Sequence, residues 1–320
     1  MEKIEEASLA ESMLDLGIVI VSYNTRDLLR ECLRTVYTSR GSFTFEVCVV
    51  DNASADGSAE MVAGEFPQAM LIANEENLGY PAANNQGLRA FGFPQSENGK
   101  SETEPPRFAL LLNSDTELPA NALAEMLSFM DRRREAGAAG PKLVRRDGSL
   151  DLACRRSFPT PEVSFYRMTG LSRLFPNSPR FGQYNLTYLD PDQLTEVDSV
   201  VGAFMLIRRE TIQQVGLLDE TFFMYGEDLD WAYRIKDAGW KIYYNPAVTV
   251  LHVKKASTRQ NPRAQIEFYR AMGIFYRKHF AAQTSWWLHM LIVSAVSARM
   301  KLERLRVALP VLASQREGKS

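Results

Sequence analysis

The sequence predicts an α/β fold in which a mostly parallel sheet is flanked by helices and followed by a C-terminal helical extension. Over the first 140 residues, short apolar runs alternate with blocks of helical periodicity. This alternation is typical of βαβ units, whose strands pair in parallel. Hydrophobic residues make up 45% of the 320 residues and charged residues 24%. That balance is typical of a globular protein and argues against a disordered chain or a bundle of membrane-spanning segments.

Four strands are predicted in the first part of the chain, at residues 17–22, 45–50, 70–73 and 108–112. Each of the first three is followed by a helical stretch of about 10–15 residues. The first of these helices has an apolar face formed by Leu28, Leu29, Cys32, Leu33 and Val36. Residues 94–107 contain no strongly apolar residue and are predicted to form a surface loop.

From about Gly140 onward, the pattern changes to longer segments that are rich in aromatic residues. Strands are predicted at 200–207, 240–244 and 248–252, the last two separated by Asn245 and Pro246. Helices are predicted at 227–238 and 266–280. The expected organisation is an N-terminal extension (1–15), a main domain (16–282, with parts 16–140 and 141–282) and a tail (283–320).

The charge and cysteine content exclude several classes of function. Lys and Arg number 37 against 39 Asp and Glu, so no overall positive charge is present to hold nucleic acid. Cys32, Cys48 and Cys154 form no CxxC pair and are expected to be reduced. The first sixteen residues hold five acids and one lysine, the opposite of a secretory signal. We therefore expect the protein to work in the cytoplasm.

Four polar clusters follow the four predicted strands. They are Ser22-Tyr23-Asn24, Asp51-Asn52, the stretch Asn77 to Gly79 with Asn84, and Asn113-Ser114-Asp115. Each one alone is typical of turns and helix caps. Because the carboxyl ends of parallel strands meet at one edge of a sheet, the four together predict a ligand site there. Neither a GxGxxG nor a GxxxxGK[ST] motif is present, which argues against a dinucleotide fingerprint or a P-loop.

Two further groups lie in the second part of the chain. Glu227 and Asp228 begin a predicted helix directly after the aromatic run 222–225. Acids in a first helical turn are stabilised by the helix macrodipole, but an aromatic wall can also desolvate one carboxylate and tune it as a base. His252 ends an apolar strand and begins a cationic loop that is suited to phosphate and contains Lys254, Lys255 and Arg259.

Seven motifs in order carry a resemblance to a known family. They are VSYN, VVDNASADGS, ENLGYPAANNQG, LLLNSDT, VGAFMLIRRE, GLLDETFFMYGEDLDW and LHVKKAST. Over roughly residues 16–280, the chain resembles the inverting glycosyltransferases of family two, which have the GT-A fold, and within them the bacterial rhamnosyltransferase-like branch. The resemblance implies a Rossmann-like sheet and the transfer of one sugar, with rhamnose from dTDP-rhamnose as the expected donor. The implied acceptor is a glycan or lipid-linked glycan in cell-surface polysaccharide synthesis.

The resemblance also implies roles in binding a nucleotide diphosphate sugar, with dTDP or UDP as the nucleotide. Tyr23 matches a tyrosine that lies near the base, and Asp51 matches the aspartate that hydrogen-bonds the pyrimidine. The other residues expected to shape the donor pocket are Ser22, Asn24, Asn52, Asn77, Gly79, Asn84, Asn113 and Ser114. Three cationic residues are expected to close over the diphosphate, namely Lys254, Lys255 and Arg259.

A divalent cation, Mg²⁺ or Mn²⁺, is implied as the cofactor. The metal-binding DxD-type motif falls on Asn113-Ser114-Asp115, in which Asn113 replaces the first aspartate. Asp115 is then the main carboxylate on the metal, and His252 resembles the histidine that completes the site in some relatives. Asp228 matches the family's catalytic base, and Glu227 is expected to support it. No QxxRW-like motif is present, which argues against a processive polymer synthase.

Two other functions are compatible with parts of this pattern. A sugar nucleotidyltransferase also uses a Rossmann-like sheet and a metal-binding aspartate. It has no use for a base at Asp228, however, and the Gly-rich basic loop that it needs after the first strand is absent. A non-catalytic nucleotide- or glycan-binding subunit of an assembly complex is the other alternative, and the presence of Asp115, Asp228 and His252 argues against it. The aromatic residues between 158 and 190 fit an acceptor wall and core packing equally well.

The tail differs from the rest of the chain in charge and hydropathy. Residues 285–320 hold six Lys or Arg against two Glu, and residues 286–298 are nearly all apolar but too few to span a bilayer. Helical spacing gives the tail an apolar and a basic face, as in helices that lie on anionic membranes. We therefore expect peripheral attachment to the inner face of the bacterial cytoplasmic membrane. The alternative is a helix packed on the main domain or on a second copy in a homo-oligomer.

Overall fold

The computed structural model describes residues 14–93, 104–254 and 264–317, with side chains up to residue 307. Most of the N-terminal extension and residues 94–103 of the expected loop lie outside the described residues. The strands of the described chain are β1 Leu16–Ser22, β2 Phe45–Asp51, β3 Met70–Ala73, β4 Phe108–Asn113, β5 Thr116–Glu117, β6 Ala136–Val144, β7 Thr195–Val197, β8 Phe204–Arg208 and β9 Lys241–His252. They form one sheet in the order β3-β2-β1-β4-β8-β6-β9-β5, with β7 paired to β9.

The helices cover the sheet and continue into the tail. They are α1 Arg26–Tyr37, α2 Ser58–Glu65, α3 Tyr80–Ala90, α4 Ala122–Arg132, α5 Pro161–Met168, α6 Leu171–Leu174, α7 Arg209–Val215, α8 Glu227–Asp237, α9 Ala264–His279 and α10 Trp286–Glu317. The predicted apolar face of α1 is confirmed, because Leu29, Cys32, Leu33 and Val36 are fully buried. A continuous apolar core therefore lies between the helices and the sheet.

The first four strands pair in parallel, as β6 and β9 also do. Their register places Ser22 opposite Asp51, Val21 opposite Asn113, and Asp51 opposite Ala73. The carboxyl ends of these strands therefore lie at one edge, and the polar clusters that follow them lie there too. The predicted α/β class is confirmed. Beyond β4, however, the sheet is mixed, because β8 pairs antiparallel with both β4 and β6, and β5 and β7 pair antiparallel with β9.

Two strand predictions in the second part of the chain are wrong. The expected break at Asn245 and Pro246 does not occur, since β9 runs unbroken from Lys241 to His252. Its register against β6 instead shifts from Asn245 opposite Pro141 to Thr249 opposite Lys142. A bulge of this kind tolerates proline because the extra residues need not donate to the ladder.

The strand predicted at 200–207 begins only at Phe204. Residues 200–201 have no regular secondary structure and residues 202–203 form a turn. The N–H of Gly202 donates to Asp228 Oδ2 instead of to a neighbouring strand. The strand β6 (AGAAGPKLV) was not predicted from the sequence, because Ala, Gly and Pro are poor strand formers. Close packing explains its glycines: a Cβ at Gly137 would lie 2.6 Å from Trp240, and one at Gly140 2.8 Å from Val200.

The expected helix of the tail is present as α10, and one side of it packs against α9. The hydroxyl of Tyr276 lies 3.1 Å from Nδ1 of His289, and Val296 lies over Gly273. Trp286 and Trp287 at its start are 79% and 58% exposed. None of the helices in the described residues combines the length and the apolar content needed to cross a bilayer.

Candidate active site

Asp51 ends β2 with a buried carboxylate that has unused hydrogen-bonding capacity. Its Oδ2 accepts the backbone N–H of Ser54 at 2.9 Å. Its Oδ1 has no hydrogen-bond partner within the described part of the chain. Leaving a buried polar atom unpaired costs free energy. An unpaired acceptor at this edge of the sheet therefore indicates a position for a ligand N–H.

Asn52 and Asn77 hold the loop after β3 in place. Asn52 Nδ2 donates to Asn77 Oδ1 at 2.9 Å, and Asn52 Oδ1 accepts the N–H of Leu78 at 3.0 Å. Asn77 Oδ1 also accepts the N–H of Gly79 at 3.0 Å. The oxygens of both amides are thus engaged within the protein, so these residues can shape the predicted pocket by fixing its loop.

Ser22 and Ser114 are connected through a third hydroxyl, that of Thr25. The Thr25 oxygen lies 3.0 Å from the Ser22 oxygen and 2.9 Å from the Ser114 oxygen, and all three residues are buried. Asn24 connects the neighbouring loop, because its Oδ1 accepts the N–H of Ala55 at 2.8 Å. The side chain of Tyr23 is 42% exposed, which leaves its ring accessible to a ligand.

Gly79 allows α3 to approach the loop that precedes α8. Its φ is +88°, and a Cβ there would lie 2.6 Å from the carbonyl oxygen of Phe223. The same oxygen accepts the N–H of Tyr80 at 2.8 Å. Only glycine tolerates this combination of dihedral angle and close contact. Asn84, one turn further along α3, donates to the Tyr80 carbonyl at 2.8 Å and has an unpaired, buried Oδ1.

Asp115 and His252 lie side by side because β5 pairs with β9. Thr116 is opposite His252 in the register, and the Asp115 carbonyl accepts the N–H of Val253 at 2.9 Å. His252 Nε2 is 3.3 Å from Asp115 Oδ1, and its Nδ1 is 2.8 Å from Asp151 Oδ2. Burial by itself would lower the pKa of His252, but the hydrogen bonds to the two carboxylates raise that pKa to about 9.

These residues fit a divalent cation that is bound partly by substrate phosphates. No group of three or more His, Cys, Asp or Glu side chains in the described ranges is arranged to hold a metal. Asp115 and His252 provide one carboxylate and one imidazole, and Mg²⁺ is typically bound by one or two carboxylates together with phosphate oxygens and water. Asp151 holds Nδ1 of His252, which leaves Nε2 for a metal. Asn113 contributes differently, since its Oδ1 accepts a hydrogen bond from the Tyr80 hydroxyl at 3.1 Å.

Asp151 also anchors the start of the cationic loop. Lys254 Nζ lies 2.9 Å from Asp151 Oδ1. Burial would raise the pKa of Asp151, but the hydrogen bonds with His252 and Lys254 hold it well below its usual range. Lys255 and Arg259 lie outside the described residues.

The two adjacent acids that begin α8 have different surroundings. Asp228 Oδ2 pairs with Arg156 Nη2 at 2.7 Å and accepts the N–H of Gly202 at 3.1 Å, and both charged side chains are buried. Glu227 is also buried, and its Oε2 has no hydrogen-bond partner among the described residues. Burial, and then the negative charge of Asp228, raise the pKa of Glu227 to about 8. Within this pair, Glu227 therefore favours its protonated form, while Asp228 Oδ2 is held by the Arg156 guanidinium.

Three residues that the sequence analysis missed connect these groups. The Tyr80 hydroxyl lies 3.1 Å from Asn113 Oδ1 and 3.0 Å from the Gly202 carbonyl oxygen. The single O–H of Tyr80 is shared between these two acceptors in a three-centre hydrogen bond, so the loop that carries Asp115 is held beside the turn that binds Asp228. The other two are Arg156, which pairs with Asp228, and Asp151. Their sequence signals are weak, namely a tyrosine inside a recognised motif, a buried arginine and a lone acid in an apolar run.

A known protein family matches most of this chain. The family model described as "Glycosyltransferase like family 2" matches residues 15–267. The N-acetylglucosaminyl-diphospho-decaprenol L-rhamnosyltransferase of Mycobacterium tuberculosis H37Rv is 27% identical over 273 residues, which cover 85% of this chain and 86% of the relative. The rhamnosyltransferase WbbL of Escherichia coli K12 is 40% identical over 148 residues, which cover 45% of this chain and 52% of that protein.

A solved structure supports the fold independently. The mannosyltransferase PcManGT from Pyrobaculum calidifontis, in complex with GDP-Man and Mn²⁺, superimposes with a TM-score of 0.54 at 17% identity. The match covers 97% of this chain and 80% of that one. The predicted family, fold and enzyme class are thereby confirmed. This chain belongs to glycosyltransferase family 2, and it is a glycosyltransferase with the GT-A fold.

Proposed function

We propose that this enzyme is an inverting, non-processive transferase that moves rhamnose from dTDP-rhamnose to a glycan or lipid-linked glycan in cell-surface polysaccharide synthesis. The names of the two relatives support rhamnose, and that of the M. tuberculosis protein supports a lipid-linked acceptor. The observation that carries the proposal is the Tyr80 bridge between Asn113 and Gly202. It keeps the expected metal-binding carboxylate, Asp115, and the expected base, Asp228, within one hydrogen-bonded unit.

The donor is proposed to bind at the carboxyl edge of the parallel strands. Asp51 Oδ1 is an unpaired, buried acceptor and suits the ring N–H of a thymine or uracil. The exposed ring of Tyr23 can pack against the same base. Asn84 Oδ1 offers a second unpaired acceptor for a nucleoside hydroxyl. Lys254 and the cationic residues that follow it supply positive charge for the diphosphate.

Asp115 and His252 would hold Mg²⁺ or Mn²⁺. When bound, such an ion stabilises the negative charge that develops on the leaving diphosphate. Asp151 contributes by fixing the orientation of His252 through the 2.8 Å contact at Nδ1.

Asp228 is proposed as the general base. The acceptor hydroxyl oxygen forms a bond to C1 of the donor sugar while the bond from C1 to the diphosphate oxygen breaks. The hydroxyl proton passes to a carboxylate oxygen of Asp228, and attack on the face opposite the leaving group inverts the configuration. Arg156 and Gly202 fix one carboxylate oxygen, and a carboxylate has further lone pairs for the proton. Glu227, protonated at neutral pH, can donate a hydrogen bond to the acceptor.

An assay with several nucleotide sugars tests the proposal and separates it from the alternatives. The full chain is mixed with Mn²⁺, a lipid-linked glycan and dTDP-rhamnose, UDP-glucose or GDP-mannose, and the released nucleoside diphosphate is measured. Selective release of dTDP, with a rhamnosylated product of inverted configuration, is the expected result. Pyrophosphate release from dTTP and a sugar phosphate would identify a nucleotidyltransferase, and donor binding without any turnover would identify a binding subunit.

We further propose that α10 attaches the enzyme to an anionic membrane surface on its cytoplasmic side. Trp286 and Trp287 are exposed at its start, and tryptophan is favoured at membrane interfaces. Arg299, Lys301 and Arg304 are exposed further along, and each basic residue near such a surface contributes about 1 kcal/mol.

Co-sedimentation with liposomes tests this attachment. The double variant Trp286→Ser/Trp287→Ser in the full chain should lose binding to vesicles of phosphatidylglycerol, because the interfacial side chains are removed. Leu194→Ser, which also truncates an exposed apolar residue, is the matched control. Equal sedimentation of the double variant and the control, or no sedimentation of the parent at low salt, would refute the attachment and favour a contact between subunits.

A further inference from the structure

A cavity of about 490 Å³ lies beside the start of α8, apart from the residues assigned to the donor. Its walls come from α5, α6, α8, α9 and α10 and from the loops between them. Tyr225, Gly226 and Leu229 form the wall that flanks Glu227 and Asp228. The volume is within the range of small-molecule sites, and no step of the donor binding proposed above uses it.

All charged side chains that line the cavity are arginines. They are Arg167 of α5, Arg173 of α6 and Arg299 of α10. In the part of the chain that the structure describes, no Asp or Glu lines the cavity and none of these arginines has a carboxylate partner. Arg167 instead stacks 4.2 Å above the ring of Tyr184. All three side chains are exposed to solvent, and together they give the pocket a positive charge that favours an anionic ligand, since their planar fork suits phosphate oxygens.

The surroundings of the cavity are apolar. Met168, Phe268 and Met272 are among its lining residues. The six most exposed large apolar side chains of the described residues belong to α10 and to the segment from 165 to 175, namely Trp286, Leu174, Leu291, Leu305, Trp287 and Phe165. Both segments also contribute arginines to the cavity. Exposed apolar side chains on the segments that supply a pocket's cationic residues suit an amphipathic ligand.

We infer that this cavity binds the diphosphate of a lipid-linked acceptor. The inference rests on the proposed function, and it specifies where the acceptor's charged group lies. The lipid chain would follow the exposed apolar side chains, and the glycan would extend toward Asp228. Tyr184 lies between the two places, because its ring lies under Arg167 and its carbonyl oxygen accepts the N–H of Ser157, the neighbour of Arg156, at 2.9 Å.

A binding experiment tests this assignment without turnover. Farnesyl diphosphate, farnesol and inorganic pyrophosphate are each titrated by calorimetry into the full chain, with the donor site saturated by dTDP and Mn²⁺ so that it cannot capture the probe. Four forms are compared: the parent, the triple variant Arg167→Gln/Arg173→Gln/Arg299→Gln, the corresponding triple Lys variant, which retains the charge, and the control Arg277→Gln. Arg277 is an exposed arginine of α9 that does not line the cavity.

The parent and the control should bind farnesyl diphosphate more tightly than either farnesol or pyrophosphate. The Gln triple variant should bind it at least about tenfold more weakly, because two or three charge-assisted contacts are lost, while its affinity for dTDP with Mn²⁺ is unchanged. The Lys variant should retain most of the affinity. Equal affinity of the parent and the Gln variant would overturn the assignment, as would equal affinity of the parent for farnesyl diphosphate and pyrophosphate. Failure of glycosyl transfer itself would appear only in the donor assay described above.

Discussion

Replacing Asp228 by Asn is the most informative single change, because it removes the proton acceptor and keeps the shape of the side chain. A positioned general base contributes roughly 10²–10⁴-fold to a rate, so turnover should fall by at least about 10²-fold. The substitution also leaves the buried Arg156 without its anion, 2.7 Å away in the parent. Breaking a buried ion pair costs about 3–5 kcal/mol. The lower end applies here, because Arg156 keeps its bond to the Val200 carbonyl at 2.8 Å.

A loss of about 3 kcal/mol corresponds to a fall of about 6 °C in the Tm of a chain of this size. Activity must therefore be compared well below the lowered Tm. The measurement is single-turnover release of nucleoside diphosphate, with the enzyme in excess over the donor and the acceptor saturating. Calorimetric donor affinity should match that of the parent. The control is Glu227→Gln, which removes a carboxyl that is already neutral at pH 7 and should cost less than about tenfold. Turnover of Asp228→Asn within threefold of the parent, together with a large loss in Glu227→Gln, would assign the base to Glu227 and refute our reasoning.

Three further predictions follow from the same contacts. Asp115→Ala should abolish Mn²⁺-dependent nucleoside diphosphate binding in calorimetric titration, whereas His252→Ala should only weaken it, because the carboxylate supplies charge as well as a ligand; unchanged binding in both would place the metal elsewhere. The pKa of Glu227 is about 8 in the folded protein and 4.5 without burial, so its contribution to stability is present below pH 4.5 and is lost as the pH rises to 8. The free energy of unfolding, measured with urea, should therefore decline less with pH in Glu227→Gln than in the parent between pH 4.5 and 8. One such group lowers this free energy by at most about 1.4 kcal/mol per pH unit. Parallel plots of the free energy of unfolding against pH for the two proteins would contradict the assignment. Gly79→Ala should destabilise the protein by about 1–3 kcal/mol in the same assay, because the added Cβ would lie 2.6 Å from the Phe223 carbonyl oxygen. An unchanged free energy of unfolding would show that the loop moves away without cost.

The strands that carry the polar clusters could be predicted from the sequence because their signal is local. Apolar runs followed by helical periodicity identify β1 to β3, and an apolar run alone identifies β4. Parallel pairing then brings Asp51 and Asn113 to one edge without further information. The contact between Asp115 and His252 also follows from strand order once β5 is known. The roles assigned to these side chains remain predictions.

The side-chain pairs of the site, the strand β6 and the packing of the tail could not be predicted, because they depend on residues far apart in the sequence. Arg156 and Asp228 are 72 positions apart in the chain, and Asp151 and His252 are 101 apart. No local pattern marks such pairs. The strand β6 is composed of residues that disfavour strands, and only close contact with Trp240 and Val200 accounts for its glycines. Likewise, the charge pattern of the tail indicated a helix but could not decide whether that helix packs on the main domain. In the structure, one side of α10 packs against α9.

The contact of Gly79 and Tyr80 with the loop before α8 limits how this enzyme can be recombined with its relatives. A chimaera joined near residue 140 would take the expected nucleotide-binding part from one parent and the expected acceptor-binding part from another. Among the contacts that cross this junction are those from Gly79 and Tyr80 to Phe223 and from Tyr80 to Gly202. Exchanging donor specificity between family members therefore requires residues 79–80 and the two loops that they touch to come from the same parent.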